Sequence, residues 1–262
     1  MNAQFGDVTV ATDDAYVATV EIHRPPDNYF DVALIRALAE AYEAIDDDPA
    51  SRAVVLCSEG KHFCAGANFS GSSAAPDALS SAGGVSQLYR EAARLFDAKT
   101  PVVAAIQGAA IGGGLGLACS ADFRVGSPQA RFSANFARLG FHHGFGLSVT
   151  LPAVVGQQRA LELLLAGRRI AGGEAAEIGL CDRLVDAGEL RSAAHQLAVE
   201  IAQSAPLAVR SIRETMRRDL ADRVRAATDR EAAEQQRLRQ TADWTEGVRA
   251  VSERRAPRFQ GR

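Results

Sequence analysis

Cysteine is sparse in this chain: four residues in 262, at positions 57, 64, 119 and 181, with no CxxC spacing. That spacing excludes a zinc site of paired cysteines. Cys57, Cys64 and Cys119 sit among apolar or small neighbours, so all four read as reduced thiols rather than a disulfide frame. No uninterrupted apolar run approaches the roughly 20 residues of a membrane span. Met1 to Asp14 carries neither a basic n-region nor an apolar h-region, so no signal peptide is expected and the reading is a cytoplasmic protein. Charge of one sign is lacking too. The net charge of −3 gives no general pull toward nucleic acid or anionic membrane. From Leu207 onward 14 arginines face 9 acidic residues, a mild bias that reads as a solvated helix face. Three phosphate or nucleophile signatures are missing. The glycines at 112–114 do not complete G-x-G-x-x-G, because Leu117 stands where the third glycine belongs. There is no G-x-S-x-G elbow and no P-loop lysine.

What is present is an apolar pattern of two periods. A hydrophobic content of 47% supports a sizeable core, and the length fits one α/β unit. Val8-Thr9-Val10 and Val17 to Ile22 read as a hairpin turned at Asp13-Asp14. A helix is expected from Asp31, whose carboxylate can cap it. Leu34, Leu38, Ala41, Tyr42 and Ile45 give it one apolar face, and Asp46-Asp47-Asp48-Pro49 ends it. Strands are predicted at Val54–Cys57, Val102–Ile106, Phe123–Val125 and Arg131–Ser133. Helices are predicted at Gln87–Ala98 and Pro152–Ala166, the latter with Leu161, Leu164 and Leu165 packed inward. Phe69 to Gly84, rich in Ser, Ala and Gly, reads as a loop that could cover a ligand. From Leu207 to Glu253 the pattern is almost wholly helical.

The richest stretch is Ile111-Gly112-Gly113-Gly114-Leu115-Gly116-Leu117-Ala118, which follows the strand Pro101–Ile106. A strand entering a glycine turn and then a helix aims free N–H groups at one point, where the helix dipole adds positive charge. Such a point suits an anion, or an oxygen that becomes anionic during a reaction. A second segment, Gly60-Lys61-His62-Phe63-Cys64-Ala65-Gly66-Ala67-Asn68, follows the strand at Val54–Cys57. Together with Val20-Glu21-Ile22-His23-Arg24-Pro25-Pro26, the run Ala171–Val185 and the ending Glu253–Phe259, these segments resemble the crotonase superfamily, the enoyl-CoA hydratase/isomerase group, over nearly the whole chain.

The resemblance implies an α/β fold: a crotonase-like spiral of ββα units over 1–206, with a C-terminal helical trimerisation segment over 207–262. It implies an acyl-CoA substrate, with coenzyme A as part of that substrate, no separate cofactor and no metal. It also implies a homotrimer or dimer of trimers. Carried over by motif, the two oxyanion donors fall on the Ala67 and Gly113 N–H groups. Arg24, Lys61 and Ala65 fall where relatives meet coenzyme A. Phe136 and Phe141, with Tyr29, Phe30 and Phe145, are available for an apolar acyl pocket or for the core.

One part of the pattern breaks. Hydratases of the family add water with two glutamates. The matching positions here are Gly116 and Phe136, and no Asp or Glu occurs anywhere from Phe123 through Leu161. The stretch offers His142 and His143 instead, and histidine titrates near neutrality. The expectation is therefore an enzyme of this family that stabilises a thioester enolate, with His142 or His143 moving the proton in an isomerisation, hydrolysis, C–C cleavage or related step. The alternative is a CoA-thioester scaffold without catalysis, in which both histidines are structural.

Overall fold

The computed structural model describes residues 1–68 and 82–262. The chain opens with three antiparallel strands, β1 (Asn2–Phe5), β2 (Val8–Thr12) and β3 (Val17–Ile22). Asp13 makes the expected turn, its carboxylate accepting from the N–H groups of Ala15 and Val17. Helix α1 (Val32–Asp46) starts at Asp31, whose side chain accepts from the Leu34 N–H.

From β3 onward the sheet turns parallel. β4 (Ala53–Ser58) pairs with β3, β5 (Val102–Ile106) with β4, β7 (Phe123–Gly126) with β5, and β10 (Arg183–Leu184) with β7. The order of this seven-stranded sheet is β1-β2-β3-β4-β5-β7-β10. All six residues of β4 are buried because both faces are covered. Alternation divides them: Val54 and Leu56 join one core with α1, while Ala53, Val55 and Cys57 join a second. The second core is closed by helix α7 (Leu190–Ala202). Helix α2 (Ala82–Arg94) lies between β4 and β5 in the chain and packs on α1.

A second sheet of three short strands builds the site. β6 (Ala109–Ile111) pairs parallel with β8 (Arg131–Ser133), and β8 antiparallel with β9 (Arg169–Ala171). Between β6 and β7 runs helix α3 (Gly113–Ser120), which holds the glycine cluster. The helix expected over Pro152–Ala166 is two helices, α4 (Leu147–Val155) and α5 (Gln157–Ala166). They break at Gly156, where φ is +78°. The break resets the phase, so Ala160 and Leu163 face inward, while Leu161 and Leu165 point outward rather than into the core. The loop expected over Phe69 to Gly84 lies outside the described residues, except for its last three, which open α2.

After the short helix α6 (Gly172–Glu177), the tail is helical as expected: α8 (Pro206–Met216), α9 (Leu220–Leu238) and α10 (Ala242–Ser252). Arg213 of α8 and Arg217, which caps its C-terminus, bind the largely buried Asp122 at 2.9 and 2.7 Å. α9 packs on α2 and α4, and α10 on the 3₁₀ turn Ala137–Leu139. No described helix is long and apolar enough to cross a membrane.

Candidate functional site

The two sequence segments meet because the first one runs along β6. Cys64 bridges Ala110 in parallel fashion, its N–H donating to the Ala109 carbonyl at 2.8 Å and its carbonyl accepting from Ile111 N–H at 3.1 Å. Beyond this bridge each segment turns sharply at a glycine with positive φ, Gly66 at +92° and Gly112 at +56°. A Cβ on Gly66 would lie 2.8 Å from the Ile111 carbonyl oxygen, so the turns are in close contact. The residues that follow them are Ala67 and Gly113. Among the described residues neither Ala67 N–H nor Gly113 N–H has a hydrogen-bond acceptor, and both residues line one cavity of about 410 Å³. Gly113 is the first residue of α3, so the helix adds its positive end at that point.

One mouth of the cavity is polar. Arg131 and Arg169 lie there on the paired strands β8 and β9, both exposed, with Asp27, Tyr29 and His62 beside them. His62 Nδ1 accepts from the Ala109 N–H at 3.1 Å, which leaves its proton on Nε2, 3.7 Å from Asp27. Burial, aided by the charges of Lys61 and Arg169, lowers the His62 pKa against the pull of Asp27.

The rest of the wall is apolar. Phe136 and Phe141 pack at 5.4 Å, Phe141 rests edge-on against Trp244 at 4.5 Å, and Phe30 meets Phe145 at 5.7 Å. Val85 and Leu88 of α2 and Val248 of α10 complete it. Five polar side chains interrupt this surface: Tyr89, Asn135, Gln235, Arg239 and Ser252.

Of the residues singled out from sequence, Ala65, Ala67, Gly113, Phe136 and Phe141 line the cavity. Lys61 is exposed outside it, and Arg24 is held by Asp7 and Asp31 at 2.6 and 3.0 Å. Neither His142 nor His143 is among the lining residues, contrary to the expectation that one would face a bound group. The wall there is Gly144 and Phe145 instead. The reason is local backbone. Phe145 takes a left-handed φ of +62°, which carries its ring onto α3, while the histidines turn toward α9. His142 Nδ1–H donates to the His143 carbonyl at 2.8 Å. His143 Nε2–H donates to Ser148 Oγ at 2.8 Å, and that hydroxyl donates to Glu231 at 2.7 Å. Burial, with His142 alongside, pushes the His143 pKa down to about 4, so the ring is neutral at pH 7.

The positions of the two missing glutamates are also accounted for. A Cβ on Gly116 would sit 2.6, 2.7 and 2.8 Å from the Cβ, Cδ1 and Cγ of Phe145. The Phe145 ring therefore fills the space that a side chain at 116 would take. Phe136 brings its own ring to the wall, and Asp27, near the polar mouth, is the only carboxylate among the described lining residues.

Among the lining residues that escaped the sequence reading are Tyr89, Arg131, Arg169, Gln235 and Arg239. The signal for Gln235 was legible. Val224, Thr228, Glu231 and Gln235 recur at steps of four and three along α9 and are all buried, so a largely polar stripe faces inward. It is there to hold the loop. Glu231 accepts from the N–H groups of Gly146 (2.9 Å) and Ser148 (3.1 Å), and Gln235 donates to the His142 carbonyl at 2.9 Å.

Comparison with known proteins shows the family of the chain. A family model described as enoyl-CoA hydratase/isomerase matches residues 12–262. The chain is 34% identical over 253 residues to the carnitinyl-CoA dehydratase of Proteus mirabilis, covering 94% of this chain and 95% of that one. It is 31% identical over 252 residues to a probable enoyl-CoA hydratase of Bacillus subtilis, covering 95% and 96%. Among solved structures, an enoyl-CoA hydratase/isomerase from Pseudoalteromonas atlantica superposes with a TM-score of 0.84 at 31% identity, covering 97% of this chain and all of that one.

Proposed function

The chain belongs to the enoyl-CoA hydratase/isomerase family, and from that premise we propose that it is an enzyme acting on an acyl-CoA thioester. The thioester carbonyl oxygen lies between the Ala67 and Gly113 N–H groups. The observation that carries this reading is the pair of N–H groups without acceptors, from two separate turns, on the wall of one cavity. Donors fixed in advance stabilise the oxygen as it gains negative charge, and one such donor is typically worth about 3–4 kcal/mol of barrier. Coenzyme A enters as part of the substrate. Its phosphates meet Arg131 and Arg169 at the polar mouth, with Lys61 and Arg24 nearby on the surface, and arginine suits phosphate by its forked donors. The acyl group runs along Phe136 and Phe141.

Hydration by two glutamates is not part of this reading, because Phe145 occupies the space beside Gly116 and an aromatic ring stands at 136. Isomerisation, thioester hydrolysis and C–C cleavage pass through the same oxyanion and remain within it, with His142 or His143 as the proton carrier only if the loop turns a ring toward the cavity. The same crowding at Gly116 favours a second reading, a CoA-thioester scaffold without turnover. A panel of acyl-CoA esters followed for product separates the two. The assembly proposed is a homotrimer or a dimer of trimers. The exposed Leu207, Ile212 and Met216 of α8 support burial against a second copy, and light scattering measures the mass.

Infrared spectroscopy of carbonyl-labelled [1-¹³C]butyryl-CoA tests the oxyanion site without requiring turnover. The carbonyl band is expected to move to lower wavenumber on binding. A bound ester whose band stays where it is in water overturns the assignment.

A further inference from the structure

The acyl end of the cavity carries a hydroxyl that no step above uses. Tyr89 lies on α2 among Val85, Leu88 and Ala92, almost wholly buried, and lines the cavity. Its oxygen is held from two sides, by the Gln235 side chain and by the Phe145 backbone N–H. Gln235 Nε2 has two hydrogens; one goes to the His142 carbonyl at 2.9 Å, and the other is available for Tyr89. The phenol oxygen thus accepts twice, and its own O–H hydrogen is left to donate. No hydrogen bond joins it to Glu231, whose oxygens accept from Gly146 and Ser148 and which acts on the phenol through its charge alone. The fit is close: a Cβ on Gly144 would fall 1.7 Å from the Tyr89 oxygen and 2.7 Å from Gln235 Nε2.

Phe145 fixes where this hydroxyl stands relative to the oxyanion donors. Its ring lies against Gly113, 3.3 Å from where a Cβ would be, and its N–H holds Tyr89. Phe145 alone thus stands between the hydroxyl and Gly113, and both line the same cavity. Arg239 lines the same part of the wall and adds positive charge there.

Resting on the acyl-CoA reading above, we infer that Tyr89 is a specificity-determining hydrogen-bond donor and that the substrate is an acyl-CoA bearing an oxygen at or near its β-carbon. An all-carbon chain would leave this donor dry and unpaired, which costs binding free energy. An oxygen that accepts from it gains one hydrogen bond. Gln235 acts through Tyr89 as a positioning residue.

Acetoacetyl-CoA and butyryl-CoA have the same chain length and differ by the β-oxygen, so their dissociation constants form the test, measured by calorimetry on the full-length protein. The wild type is expected to bind acetoacetyl-CoA about three- to tenfold more tightly, the worth of one neutral hydrogen bond. Y89F is expected to bring the two within about twofold, with the butyryl-CoA constant little changed. Q235E is a second variant, for use if Y89F does not fold. Its carboxylate accepts the Tyr89 O–H and withdraws it from the cavity, so the same loss of discrimination is expected with the phenol intact. If Y89F or Q235E weakens both esters equally, or leaves the wild-type ratio intact, the Tyr89 assignment is overturned while the acyl-CoA reading stands. If the wild type binds neither ester, both fall together.

Discussion

Replacing Gly116 by alanine in two backgrounds tests whether the Phe145 ring occupies the place of the absent first carboxylate. In the wild type the new methyl would meet three Phe145 atoms at 2.6 to 2.8 Å, well inside the ~3.5–4.0 Å optimum for carbon pairs. Phe145 cannot retreat easily. It is buried, it holds a left-handed φ, and the next residue is fixed by the 2.9 Å bond from Gly146 N–H to Glu231. Overpacking of this kind costs ~1–3 kcal/mol. Alanine inside a helix returns ~1 kcal/mol relative to glycine, so Gly116→Ala alone is expected to be neutral to ~2 kcal/mol destabilising. Phe145→Gly removes all three clashing atoms and suits the positive φ, at a loss of the ~3–5 kcal/mol typical of emptying a buried phenylalanine site. In that background Gly116→Ala meets nothing of Phe145 and becomes stabilising by ~1 kcal/mol. The coupling between the two sites is the overpacking alone, ~1–3 kcal/mol. For a chain of this size ~1 kcal/mol moves the melting temperature by ~2–4 °C. The double variant is therefore expected to melt ~2–12 °C above the additive value, with protein concentration held fixed because assembly shifts the midpoint. Melting temperatures that add to within ~1 °C would refute the packing argument, and with it the explanation of why position 116 carries no side chain.

Lowering the pH from 6.5 to 4 is expected to destabilise the protein through His143. Its folded pKa is depressed to about 4, so the unfolded chain binds the proton first and stability falls as pH drops, by up to ~1.4 kcal/mol per pH unit over that window; His143→Gln, followed by melting against pH, should flatten that part of the profile. Asp122→Asn leaves Arg213 and Arg217 facing a neutral amide in a buried site, and a loss of ~3–5 kcal/mol is expected by thermal denaturation; a melting temperature within ~2 °C of wild type would contradict it. Arg131→Ala with Arg169→Ala is expected to weaken butyryl-CoA binding while leaving butyryl-pantetheine, which lacks the nucleotide phosphates, unchanged by titration calorimetry. A parallel loss for both esters would remove these arginines from the phosphate contact.

Local signals carried much of the architecture. Asp31 announced a helix and caps it, Asp13 announced a turn and makes it, and the apolar run at Val54–Cys57 became a strand buried on both faces. The two glycine turns were legible because φ > 0 next to a strand end leaves few alternatives to glycine. The short strands β6 and β9 were not, although the equally short β8 was; three residues hold so little pattern that such a strand is read as easily as missed. The orientation of the histidine pair was not legible for a different reason. Sequence places two rings on one loop but says nothing of which way a left-handed residue three positions from the first will turn them. Tyr89 sits at an apolar position of an amphipathic helix, where only tertiary contacts distinguish a core aromatic from a wall residue. Gln235 is 146 positions from the tyrosine it holds, a pairing that no local pattern contains.

The dependence of the cavity on α9 and α10 has a consequence for biogenesis. Both sheets are complete once the chain has been made through Leu184, and elements made early can fold early. The loop at 142–148, however, waits for Glu231 and Gln235 to leave the ribosome. Until those last helices arrive, Leu88, Tyr89 and Phe141 form an uncovered greasy trough, and a nascent chain stalled there is a natural client for chaperones. Shortening the gene at its 3′ end would thus abolish ligand binding before it abolished the sheet.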